Sequence, residues 1–122
     1  MENQPKRYGF SRRRRIKRPA DFDAVFKAKQ SVADHHLVVY ARPNRLGFSR
    51  LGLGVGRKLG SAVRRNRYKR SMREAFRLMV PELPAGYDYV LIPRRTAGPK
   101  THLYQRSLLE LTRRWQKRYR SQ

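Results

Sequence analysis

Arg65, Asn66, Arg67, Lys69, Arg70 and Arg73, with Lys58 just upstream, form a cluster of the residue types that bind phosphate. Guanidinium and ammonium groups pair with phosphoryl oxygens, and each phosphate neutralised releases condensed counterions, so such a cluster binds polyanions whatever their sequence. Other chemistries lack their parts. The chain has no cysteine, which removes thiol nucleophiles, thiolate metal sites and disulfides. Its 8 acidic residues are scattered; only Asp21 and Asp23 lie close in sequence, and on a helix they would point about 200° apart. A hydrolytic centre needs a base, an acid and phosphate stabilisers converging on one point, so no catalytic residue is assigned. His35, His36 and His102 complete no metal site, because adjacent residues on an extended strand face opposite ways, and no metal ligand is assigned. The glycines at 52, 54 and 56 fit neither a dinucleotide fingerprint nor a Walker A loop.

The rest of the composition points the same way. Among 122 residues, 31 Lys or Arg face 8 Asp or Glu, a formal charge of +23. A charge of that size calls for a polyanionic partner, and nucleic acid is the natural one. The length supports one modest core, which argues against a two-domain catalyst. A basic arm over 1–17, with four consecutive arginines at 12–15, is expected to precede a single domain over 18–120. No apolar run resembles a secretory signal or a bilayer span, so a cytoplasmic protein without a membrane partner is expected.

The elements that must position the cluster follow from periodicity. Pro19 suits a first helical turn, Asp21 its positive end, and Phe22, Val25 and Phe26 share one face. Alternation predicts a strand over 36–42, followed at Pro43, Asn44 and Gly47 by a hairpin loop, and a second strand over 51–55. That strand's glycine side is bare, so either a packed helix or a bound ligand must approach it closely. Ser61 is placed to cap a helix running to about Val80. Its apolar stripe is Tyr68, Met72, Ala75, Phe76 and Met79, and its polar stripe is Asn66, Arg70, Arg73 and Arg77. Arg65 falls toward the apolar side and is expected at the helix entrance. A strand over 87–94 and a helix capped by Thr101, with Tyr104, Leu108, Leu111, Trp115 and Tyr119 on one face, complete an order αββαβα. With helices over one face of a small sheet, the fold class is α+β, a small α-β sandwich.

The segment from Gly60 to Phe76, with Arg65-Asn66-Arg67 at its centre and Leu-Gly-Leu-Gly-Val-Gly-Arg-Lys before it, resembles the signature of the bacterial ribonuclease P protein subunit. The block around Phe22 and Phe26, the Leu-Val-Val-Tyr40 strand and the run from Asp88 to Arg95 extend the likeness over roughly 13–115. The resemblance implies a small cofactor of a catalytic RNA that removes the 5′ leader of precursor tRNA, with Mg2+ associated with the RNA. It implies that Lys58, Arg65, Asn66, Arg67, Lys69, Arg70 and Arg73 contact the RNA subunit. It also implies that Phe22, Phe26 and Tyr40 line a cleft for the leader, where aromatic faces stack bases of any identity. The family's crossover between parallel strands is left-handed, whereas the general rule favours the right-handed form.

Competing readings remain open on the residues alone. Phe22 and Phe26 could be core, and Tyr40 a half-buried strand residue. A structural RNA-binding protein, such as a ribosomal protein, would share the basic charge; a DNA reader would need more base-reading side chains than Asn66 supplies. A solvated cationic face is the ordinary meaning of charges on a helix. Here like charges at helical spacing repel by about 0.2 to 0.5 kcal/mol per pair, with Glu74 alone to offset them, and an anionic partner removes that cost.

Overall fold

The computed structural model describes residues 14–95 and 98–120; most of the expected basic arm lies outside them. In chain order the elements are α1 (Pro19–Lys27), β1 (Ser31–Ala33), β2 (Leu37–Pro43), β3 (Arg50–Leu53), α2 (Ala62–Met79), β4 (Tyr87–Pro93) and α3 (Thr101–Trp115). A π turn, Gln116–Arg120, continues α3. The fold is α+β, as expected, but it contains one more strand. Ser31–Ala33 pairs antiparallel with β2 across a turn in which the Asp34 carboxylate accepts from the backbone of His36 and Leu37. Three small residues are too few to display an alternation.

The strands lie in the order β1-β2-β4-β3. The expected hairpin between β2 and β3 therefore does not form. β4 enters between them, antiparallel to β2 and parallel to β3, so that α2 connects two parallel neighbours. The loop after β2 is instead held by Asn44, whose side chain donates to the Phe48 carbonyl and to Asp88 and accepts from the Leu46 amide.

Two of the three helices cover one face. Leu37, Val39, Ala41, Tyr89 and Leu91 meet Tyr68, Met72 and Phe76 of α2 and Tyr104, Leu108 and Leu111 of α3 in the main core. The expectation that all helices share this face fails at α1. Its buried Val25 packs on Val90 from the opposite side, with Ile16. Periodicity marks which face of a helix is apolar but not which side of a sheet it covers.

The free edges of the sheet are closed by side chains and by the entering chain. Trp115 Nε1 donates to the Gln30 carbonyl, Arg114 to Ala33, and the Tyr119 hydroxyl both donates to and accepts from Ser31. At the other edge the Ile16 amide donates to the Leu51 carbonyl and Arg15 bridges Leu51. Order therefore begins ahead of Pro19, because Ile16, an apolar residue among cations, is buried.

Candidate nucleic-acid interface

The basic helix α2 begins as the sequence predicts. Ser61 has extended backbone and its hydroxyl accepts from the Arg64 amide. Gly60 precedes it with φ 121, and a Cβ there would stand 2.6 Å from the Arg64 side chain, so this entry turn requires glycine. Tyr68, Met72, Ala75 and Phe76 are buried, which fixes the rotation of the helix and turns Asn66, Arg67 and Arg70 to solvent. Lys58 is exposed on the 3-10 turn before it. Arg65 folds back, its Nε donating to the Gly60 carbonyl, which places it at the helix entrance.

Lys69 and Arg73 are half-buried and face a different environment. They line a cleft of about 170 Å3 together with Arg15, Ile16, Phe22 and Gly52. Burial, and then the neighbouring charge of Arg15, lower the pKa of the Arg73 guanidinium from its ordinary value. Arg15 belongs to this cleft although its sequence context reads as arm; the signal was Ile16 beside it. The ion pairs among the described residues are Arg18–Asp21, Arg50–Asp21, Arg50–Asp88 and Arg77–Glu74. None involves Lys58, Arg65, Arg67, Lys69, Arg70 or Arg73.

The aromatic candidates lie on the α1 side of the sheet, in one cross-strand row. Tyr40 of β2, Val90 of β4 and Gly52 of β3 are register partners. α1 crosses above them. Phe26 meets the Tyr40 ring edge to face at 5.0 Å and 83°, and Val25 packs on Val90. A Cβ on Gly52 would come 2.6 Å from Phe22 Cε1. The bare glycine strand is thus occupied in part by a ring from a packed helix. Val25 supplies the core contact, whereas Phe26 stays 36% exposed and Tyr40 half-exposed.

Phe22 joins the two groups of candidates. It packs on Gly52 and also lines the cleft of Lys69 and Arg73, so an aromatic edge and a pair of cations open on one space. Phe26 and Tyr40 lie toward β2, and Asn66, Arg67 and Arg70 face outward on α2.

The row beside the aromatics is polar. Asp88 is 3% exposed and receives two charge-assisted bonds from Arg50, 2.8 Å from Nε and 2.7 Å from Nη2, and one from Asn44 at 2.9 Å. Arg50 in turn reaches Asp21 at 3.6 Å. A hydrogen bond from Arg18 is the main cause holding the Asp21 carboxyl below the usual range; burial opposes it, and Arg50 adds to it. This chain of charges anchors α1 to β3 and β4.

Comparisons with known proteins bear on what this surface serves. A family model described as Ribonuclease P matches residues 10–118. The chain is 43% identical over 100 residues to the ribonuclease P protein component of Pelotomaculum thermopropionicum, covering 81% of this chain and 89% of that one. It is 45% identical over 86 residues to the Thermotoga maritima protein of the same name, covering 70% and 74%. The solved ribonuclease P protein of Thermotoga maritima superposes with a TM-score of 0.74 at 37% identity, over 82% of this chain and 96% of that one. The Staphylococcus aureus protein does so with a TM-score of 0.71 at 37% identity, over 82% and 93%.

Proposed function

The chain belongs to the bacterial ribonuclease P protein family, and from that premise we propose that it binds the catalytic RNA of ribonuclease P and the 5′ leader of precursor tRNA, assisting endonucleolytic removal of the leader. The holoenzyme is the endoribonuclease, and this subunit is its binding module. The observation that carries the reading is the ion-pair ledger. The described carboxylates that form ion pairs do so with Arg18, Arg50 and Arg77, while the cations of the α2 cluster keep their charge for an external anion.

Arg67, Arg70 and Lys58 are exposed, and with Asn66 they dock the phosphates of the folded RNA. Lys69 and Arg73, recessed beside Phe22, take phosphates where the RNA subunit and the leader come together. Phe22, Phe26 and Tyr40 grip the single strand. Each stacked base is worth about 1 to 3 kcal/mol irrespective of its identity, which suits leaders that differ in sequence.

Among the described residues no three His, Asp or Glu side chains gather to hold a metal ion. We assign Mg2+ to the RNA, and no step is routed through a protein-bound ion. No described helix is long and apolar enough to cross a membrane. Work in the cytoplasm alongside tRNA synthesis is part of the proposal.

The test is cleavage of a leader-bearing precursor tRNA by a bacterial ribonuclease P RNA at low magnesium, with and without this protein. A rise in cleavage with the protein is expected. No gain over RNA alone would reject the reading in favour of a purely structural RNA-binding role.

A further inference from the structure

Beyond the aromatic row, β2 and the turn that follows it carry two arginines, Arg42 and Arg45, that none of the roles above uses. Arg42 is two residues past Tyr40 on the same strand, hence on the same face of the sheet, about 6.6 to 6.8 Å further along. It lines a cleft of about 630 Å3 with Asp21, Pro43, Asn44, Arg45, Arg50 and Asp88. Arg42 and Arg45 are exposed, and among the described residues neither has a carboxylate partner. The cleft's two carboxylates do not repel an anion strongly, because Asp88 is saturated by Arg50 and Asn44, and Asp21 is shared by Arg18 and Arg50.

The position of Arg45 is fixed by its turn. Its φ is 61, a left-handed backbone uncommon for a side chain of this type. Asn44 holds that conformation from one side, with its amide bonded to the Gly86 carbonyl at 2.9 Å and its side chain to Leu46, Phe48 and Asp88. With the backbone held in this turn, binding must order the Arg45 side chain but not the loop that carries it.

We infer that Arg42 and Arg45 form a phosphate subsite for the leader strand, one step along β2 beyond the Phe26–Tyr40 pair. A base stacked on that pair hands its neighbouring phosphodiester to the two arginines, so the protein measures leader length as well as gripping one base. The inference rests on the leader reading above. The same phosphate chemistry could come from the catalytic RNA, and the experiment separates the two sources.

The measurement is affinity of the reconstituted holoenzyme for precursor tRNAs whose leaders lengthen one nucleotide at a time, with R42A/R45A compared with the unaltered protein. Affinity of each protein for the RNA subunit alone is measured in parallel. Short leaders should bind both holoenzymes equally. Once the leader reaches the subsite, the variant should bind about threefold to tenfold more weakly, and its salt dependence should flatten by about 0.7 per phosphate lost. R42K/R45K should recover part of the loss. A deficit independent of leader length, or one confined to assembly with the RNA subunit, would overturn the inference. Y40A is run alongside. If Y40A weakens leader binding and R42A/R45A does not, the subsite alone fails; if Y40A also leaves leader binding unchanged, the leader reading itself fails.

Discussion

The two faces of the sheet are built from the same strands and do opposite work. On one face α2 and α3 bury Tyr68, Phe76, Tyr89, Tyr104 and Trp115 around Leu37, Leu91, Leu108 and Leu111, with Leu53, Val55, Met79, Val80 and Tyr119 partly covered at the margin. On the other, the nine-residue α1 covers a single row; Ile16, Val25 and Val90 are buried, and Phe22, Tyr40 and Ile92 are only partly covered. Alternation gives both faces apolar residues. What separates them is how much helix lies on top, and the difference shows that an aromatic residue here is structural or available according to its face.

Breaking each face in turn tests this contrast. Phe76→Ala opens a cavity under α2 and is expected to cost about 3 to 5 kcal/mol in urea unfolding, while Phe26→Ala on the open face should cost under about 1 kcal/mol. Equal losses would mean that α1 belongs to the core as fully as α2.

Gly52→Ala sharpens the comparison on the open face alone. The new methyl meets Phe22, the far end of a side chain that can swing, and Ile16 Cδ1 at 3.2 Å. We expect destabilisation of about 1 to 3 kcal/mol, with much of it relieved in the Gly52→Ala, Phe22→Ala double variant. Additive costs would place the clash elsewhere.

Removing charge from α2 should spare the fold. Arg67→Ala with Arg70→Ala is expected to leave the unfolding midpoint within about 0.5 kcal/mol of the parent, because both side chains are exposed and unpaired in the described structure. Affinity for the RNA subunit should fall and its salt slope flatten by about 1 to 2, read from binding isotherms at several salt concentrations.

The smallest effect is acid sensitivity. Asp21 and Glu74 are held below the usual carboxylate range chiefly by hydrogen bonds from Arg18 and Arg77. Burial works against the Asp34 carboxylate, but bonds from Ser107 and the backbone of His36 and Leu37 outweigh it and lower its pKa as well. Depressed folded values mean that this stability is present above the unfolded values near 4 and is lost as the pH falls through the folded ones. Urea midpoints should therefore be level from neutrality to about pH 5 and fall below about pH 4. Asp34→Asn should shrink the acid-side drop.

Much of this was legible in the sequence because it is local. The Ser61 cap, the α2 stripe and the α1 start at Pro19 depend on neighbours within a few residues, and they lie where periodicity places them. Thr101 is an exception; it is the first helical residue, and Lys100 stands at the cap without a side-chain bond. What escaped was non-local. The insertion of β4 between β2 and β3 is decided by pairing between residues from 38 (Arg50 with Asp88) to 56 (Leu37 with Pro93) positions apart, and β1 gains its place from β2 and from side chains of α3 and its π turn that bond its outer edge. Arg114, one of several C-terminal cations, closes that edge, and nothing in its local sequence marks it for that contact. The candidate cleft was legible only through the family resemblance, since the spacing of Phe22 and Phe26 taken alone favours core packing.

The most direct measurement compares holoenzymes carrying the parent protein, Phe26→Ala or Tyr40→Ala for affinity toward leader-bearing precursor tRNA and mature tRNA at one salt concentration. The account predicts a loss of about fivefold or more for the precursor, from about 1 kcal/mol or more of stacking, with mature tRNA unchanged. Equal losses for both ligands would contradict it and return the open face to a packing role.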